Sequence, residues 1–422
     1  MLNKIWASFF FLGALAAIYH IVVLGNPAIL NEIMESIFSM AQTGFEIAIG
    51  LTGVMCLWLG IMKIGENGGM VYLISKALAP FLRRLFPEIP DGHPASTSIV
   101  MNLSANMLGL DNAATPLGLK AMKELQAINP EKDTASNAMI MFLVINTSSV
   151  TIVPLTIFTY LYQLSYPNPT ELFIPILLAT TCSSLAGLIA VSIYQRINLF
   201  QPVLIITIGV LMCFIAGFIL LLLSMDKSTM QTFSLVFSNS IILGIILLFL
   251  TRALIKKVNV YESFIDGAKE GFKVAITIIP FLVAMLVAIG IFRTSGALDI
   301  LLDLLTQIFM GIAYSLDWLG ILAYSGEPLE FVDALPTAFM KPLSGSGARG
   351  LMIETMESYG PTAFASRCAA IMQGSTETTF YVLAVYFGSI AIKKTRYAIT
   401  CGLIADFTGI TAAIILCYLF FG

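Results

Sequence analysis

Two stretches, Phe142–Leu155 (FLVINTSSVTIVPL) and Ala369–Val382 (AAIMQGSTETTFYV), decide how this chain is read. Each lies in an apolar segment long enough to span a bilayer, yet each carries consecutive amides and hydroxyls at mid-membrane depth. Aligned without gaps, Asn146, Thr147, Ser148, Ser149 and Thr151 match Gln373, Gly374, Ser375, Thr376 and Thr378, and Glu377 takes the place of Val150. Polar groups are costly in hydrocarbon, so such runs face a bundle interior or a hydrated cavity. The rest of the chain reads as scaffolding for these two segments.

Composition sets the class around them. Hydrophobic residues make up 58% of 422 residues and charged residues 11%, against about 25% charged in a soluble domain. The chain reads as an all-α, polytopic membrane protein surrounded by lipid. No long basic tract is present, so nucleic acid is not an expected partner. The cysteines at 56, 182, 213, 368, 401 and 417 are scattered without metal-site or redox spacing. His20 and His93 are far apart in sequence, so no metal site and no cofactor is expected. Lys4 precedes the apolar run Ile5–Leu24, which ends in LGNP rather than a small-residue cleavage site and reads as a true helix.

Charge placement orients the spans. No Lys or Arg occurs from Asn26 to Met62; Lys63, Lys76, Arg83 and Arg84 then follow. The positive-inside rule puts the N-terminus in the cytoplasm of a bacterial inner membrane. Leu30–Gln42 and Val260–Lys273 read as interfacial helices, and Phe45–Met62 and Val274–Phe292 as spans. Met70–Phe86 and the helix carrying Asp299, Asp303 and Gln307 read as interfacial. Ala138–Tyr160, Leu172–Tyr194, Pro202–Leu223, Phe233–Leu250, Ala369–Ile390 and Ala398–Phe420 read as further crossings.

Ser96–Leu125 reads differently. Its polar content predicts two half-helices meeting at Gly109–Thr115, with Pro116 opening the second. MKPLSGSGARG from Met340 aligns with VMNLSANMLGL from Val100, and TCGLIADF from Thr400 with TCSSLAGL from Thr181. The chain thus divides into a repeat over 1–200, an extra linking helix over 201–228 and a second repeat over 229–422. The extra crossing inverts the second repeat, an architecture that places broken helices at the repeat interface.

PEIPDGHPASTSIVMNLSANMLGLDNAATPLGLKAM resembles spore maturation protein A. PLSGSGARG, MQGSTETTFYVLAVYFGSIAIKK and RYAITCGLIADFTGI resemble spore maturation protein B. Together the matches cover nearly the whole chain, which therefore looks like an A–B fusion. Both halves are similar to the gate, or nucleoside-recognition, domains of nucleoside transporters and of the membrane part of ferrous iron transporter B. That resemblance implies a transport-like fold and points to a homodimer. It does not by itself name a nucleoside as substrate.

The polar residues of both repeats are the candidate site. A secondary transporter or permease for a small polar or anionic solute would bind it with Asn102, Ser104, Asn106, Asn112, Asn146, Thr147, Ser148, Ser344, Ser346, Arg349, Gln373, Ser375 and Thr376. Glu377, Asp406 and Asp111 would couple transport to protons or sodium, because an intramembrane carboxylate is functional by default. Arg349 suits an anionic solute, or a pairing with Glu377 or Asp406. No G-x-x-x-x-G-K-[ST] motif is present. Two other readings stay open. An intramembrane hydrolase could use a serine of SGSG, although no histidine is placed beside it. A scaffold for envelope or spore-maturation proteins would have its polar residues satisfied by one another.

Overall fold

The computed structural model describes residues 2–108, 111–148, 150–152, 154–199, 201–318 and 329–422; the side chains of 2–3, 111–113, 214, 222–223, 227–228, 231, 316 and 318 lie outside that description. In chain order the α-helices are α1 (Leu2–Val22), α2 (Ile29–Asn67), α3 (Met70–Leu85), α4 (Pro94–Met107), α5 (Asp111–Ile128), α6 (Asn137–Thr147), α7 (Leu155–Gln163), α8 (Phe173–Gln195), α9 (Pro202–Leu223), α10 (Lys227–Ile255), α11 (Val260–Thr294), α12 (Ala297–Trp318), α13 (Leu335–Met340), α14 (Gly345–Tyr359), α15 (Phe364–Ser375), α16 (Thr379–Ser389) and α17 (Ala398–Phe421). Among the described residues eight helices are long and apolar enough to cross a membrane. The protein is an all-α, multi-pass membrane protein.

Three expectations are corrected. Leu30–Gln42 and Val260–Lys273 are not separate interfacial helices. Each continues into the span after it, giving α2 with 39 residues and α11 with 35. At 1.5 Å per residue α2 is about 58 Å long, well beyond a hydrocarbon core of roughly 30 Å. The two helices pack antiparallel along most of their length: Gly44 meets the backbone of Val283, Gly271 that of Met55 and Gly267 that of Leu59. The Asn67 amide donates to Ser263 near one end. This mutual support carries the helix through residues whose polarity suggested an interface. The second correction concerns Ala138–Tyr160 and Ala369–Ile390. Neither is one helix: the first breaks between α6 and α7, the second between α15 and α16. Third, Pro116 lies inside α5 rather than at its start; residues 109–110 of the expected junction lie outside the described residues.

Equivalent helices meet one another head to tail. In α8 and α17 the Ser183 hydroxyl donates to the Ala405 carbonyl at 2.9 Å, and Tyr194 stacks on Tyr397 at the far end. Gly187, which the internal alignment matches with Asp406, packs against Ala405. The broken helices follow the same rule. The loop before α6 bonds to the loop after α16, with Lys393 and Lys394 N–H groups donating to the Asp133 carbonyl. On the opposite side, the Arg367 guanidinium near the start of α15 donates to the Tyr166 hydroxyl just after α7, at 3.0 Å. Antiparallel contact between matching segments is what an inverted repeat produces. It also puts the two basic loops on one face, as the charge rule requires. At that face the Thr134 hydroxyl, and then the Lys394 ammonium, hold the Asp133 carboxyl below its usual range.

Candidate functional site

The two breaks are written in local chemistry. At the end of α6 the Val144 carbonyl accepts from both the backbone and the hydroxyl of Ser148. A side chain that takes a helical carbonyl competes with the ladder, and Pro154, which has no N–H, cannot donate to it. The second break needs no proline. Thr376 is fully extended (φ −146°, ψ 170°) and Thr378 caps α16 in the β region, a conformation that suits β-branched residues. The breaks touch. The Glu377 N–H donates to the Thr147 carbonyl at 2.8 Å, and the Thr147 and Thr379 hydroxyls are 2.7 Å apart.

The end of α4 sits against the first break, and the turn between α13 and α14 against the second. The Ile152 N–H donates to the Met107 carbonyl at the end of α4, and the Asn106 amide donates to Asn146. In the second half the Phe380 N–H donates to the Pro342 carbonyl. The Gln373 amide reaches the Gly345 carbonyl at 3.5 Å. Ser344 is the N-cap of α14: its hydroxyl accepts from the Gly347 N–H at 3.0 Å and lies 3.2 Å from Ser346. The free N–H dipoles of α14 therefore open toward the second break.

A cavity of about 1330 Å³ fills the space between breaks and hairpins. Its wall brings together Asn106, Asn146, Ser344, Ser346, Arg349, Gln373, Thr376 and Glu377, all expected from the sequence. Glu377 is exposed within it, and the Arg349 guanidinium faces the Tyr160 hydroxyl. Residues not expected from the sequence also line it: Lys341, Glu270, Lys273, Tyr160, Tyr381 and Tyr386. Lys341 is 4% exposed, a buried cation at the turn between α13 and α14. The KP step before the SGSG run was its only sequence signal. Glu270 and Lys273 were hidden because their segment read as interfacial.

Other expected residues do not reach the cavity. Asn102 is buried behind it, donating to the Ala114 carbonyl at 2.7 Å. Ser104 and Ser148 bond to the carbonyls one turn back, and Ser375 to that of Met372. Thr147 is spent on Thr379. Asp406 is buried in α17 and accepts the Thr379 hydroxyl at 2.6 Å; it makes no ion pair with Arg349. The side chains of Asp111 and Asn112 lie outside the described residues. Neither histidine stands by Ser344 or Ser346: His93 caps α4 and His20 lies beside Gly296.

Comparison with known proteins agrees with this architecture. The family model described as Gate: Nucleoside recognition matches residues 48–163, from α2 to the end of α7. Spore maturation protein B of Bacillus subtilis (strain 168) is 48% identical over 168 residues, covering 40% of this chain and 85% of that protein. Spore maturation protein A of the same organism is 39% identical over 189 residues, covering 45% of this chain and 93% of that protein. No solved structure matches. The chain belongs to the spore maturation protein A and B family of gate-domain membrane proteins, and carries similarity to both members in one polypeptide.

Proposed function

We propose that this protein moves a small polar or anionic solute across the membrane by a secondary, ion-coupled mechanism. The observation that carries the reading is the charged cavity at the meeting point of two broken helices and two hairpin tips. Rigid helices would have satisfied their own backbones. Breaks instead expose dipoles and carbonyls where a solute can use them. The anionic part of the solute would sit at the N-terminus of α14, between Lys341 and Arg349. Asn106, Asn146, Ser344, Ser346, Gln373 and Thr376 would bind its neutral groups. Glu377 and Asp406 supply the carboxylates for coupling. The extra helix α9 between the repeats, which would divide the chain at 201–228, fits an inverted pair.

The spore maturation role belongs to the relatives that carry that name. A scaffold role for this chain would need no cavity of this size. A thermal-shift series on purified protein tests the transport reading, with uridine, succinate and glycerol 3-phosphate as probes of three solute classes. A ligand of the folded state raises the midpoint in proportion to RT ln(1 + [L]/Kd). The expected result is a saturable rise with one anionic probe that is lost in Arg349→Ala. No rise with any probe, together with equal behaviour of Arg349→Ala, would count against the reading.

A further inference from the structure

One face of α17 is built around the second helix break. Gly402, Asp406 and Gly409 fall at i, i+4 and i+7, so they share a stripe. A Cβ at Gly402 would lie 2.7 Å from the Thr379 methyl, and one at Gly409 would lie 2.6 Å from the Thr376 methyl and 3.2 Å from the Ser375 carbonyl oxygen. The two glycines thus admit the break on either side of Asp406. This sets the Ser375 carbonyl and the Thr376 side chain against the stripe that carries Asp406, with the Thr376 hydroxyl beside the Asp406 carboxylate.

The side-chain oxygens here are only partly satisfied by the protein. Asp406 is 1% exposed and Thr376 is 3% exposed. One carboxylate oxygen of Asp406 takes the Thr379 hydroxyl, whereas its Oδ1 and the neighbouring Thr376 Oγ1 lie close to each other without closing a well-formed hydrogen bond. Gln373 Oε1, one turn back in α15, is also without a partner. An unpartnered buried acceptor is costly, and several together call for a positive ligand. The charged side chains that act on Asp406 are Lys341 and Glu377. A divalent metal is disfavoured, since no cluster of three His, Cys, Asp or Glu exists among the described residues.

We propose that Ser375, Thr376 and Asp406 form a sodium site in the second repeat. Hard monovalent cations take oxygen ligands, and an unwound backbone beside a carboxylate supplies them. The first repeat cannot duplicate the site, because Gly187 stands where the second has Asp406. Occupation of the site ties α17 to the Thr376–Thr378 break, the segment that also carries Glu377 into the cavity. Sodium therefore orders one wall of the cavity before solute enters. The purpose given to the ion rests on the transport reading, but its binding does not.

The test measures sodium alone. Purified full-length protein is equilibrated with ²²Na⁺ at constant ionic strength held by choline chloride, and thermal midpoints are recorded in sodium, potassium and choline salts. The expected result is saturable ²²Na⁺ binding, a higher midpoint in sodium, and loss of both in Asp406→Asn. Thr376→Ala, which keeps the carboxylate and guards against a folding failure of the first variant, should weaken apparent sodium affinity about tenfold or more. Equal midpoints in all three salts with no bound ²²Na⁺ would overturn the site. So would undiminished binding in Asp406→Asn. Solute-induced shifts, measured separately in sodium and in choline, keep the two ideas apart. A solute shift without sodium binding removes only this site, and sodium binding without any solute shift removes only the transport reading.

Discussion

Gly267→Leu is expected to destroy the folded protein. Gly267 lies in α11 where that helix crosses α2, and a Cβ there would overlap the Leu59 carbonyl oxygen and sit 2.7 Å from the Lys63 Cβ. Backbone carbonyls cannot rotate aside, so the two longest helices would have to separate. Ordinary overpacking costs about 1–3 kcal/mol, and a helix-on-helix clash lies above that range. A native stability of roughly 5–15 kcal/mol leaves little margin. The measurement is the yield of monodisperse protein and its thermal midpoint in detergent. Gly209→Leu on α9, where a Cβ meets nothing within 4 Å, is the matched control and should behave as wild type. Equal midpoints for the two variants would show that α2 and α11 do not pack this closely.

Glu354→Ala is expected to cost about 3–5 kcal/mol, the usual effect of leaving one member of a buried ion pair alone. Glu354 in α14 pairs with Arg293 at the end of α11, accepts the Ser358 hydroxyl at 2.8 Å, and holds the guanidinium over the Tyr359 ring. The pair fixes the far end of the hairpin helix whose N-terminus faces the cavity. Removing both charges, in Arg293→Met with Glu354→Met, should recover part of the loss, because the guanidinium is then no longer left without its carboxylate. A Glu354→Ala midpoint equal to wild type would mean that the pair is hydrated and structurally idle.

Much of this arrangement is legible in the sequence because polarity in a membrane is expensive. The two stretches at 142–155 and 369–382 announce themselves by composition, and both fall on the helix breaks. What composition cannot decide is whether a polar residue serves the backbone or a cavity. Ser104, Ser148 and Ser375 look as promising as Ser344 and Ser346, yet a helical hydroxyl readily returns its hydrogen bond to a carbonyl one turn back. Ser344 and Ser346 escape that fate because they start a helix instead of lying within one. Continuity is hard to read for the opposite reason. Glu32, Glu35 and Gln42 suggest an interface, but α11 packs along this helix from its far side. Lys341 is not legible in the sequence because its burial depends on a hairpin tip that only tertiary structure creates.

On the transport reading, the cavity between the breaks is open to water and takes solute. Ser346, on its wall, tests it most directly. Ser346→Cys is placed in a background in which the six native cysteines are replaced, and membrane vesicles of both orientations are treated with a membrane-impermeant maleimide. Glu131→Cys in an exposed loop and Ala370→Cys in the buried core serve as reactive and unreactive controls. Ser346→Cys is expected to be labelled, and more slowly in the presence of a probe that raises the thermal midpoint. A Ser346→Cys protein as inert as Ala370→Cys in both vesicle orientations would contradict it, and would leave the polar breaks as internal struts.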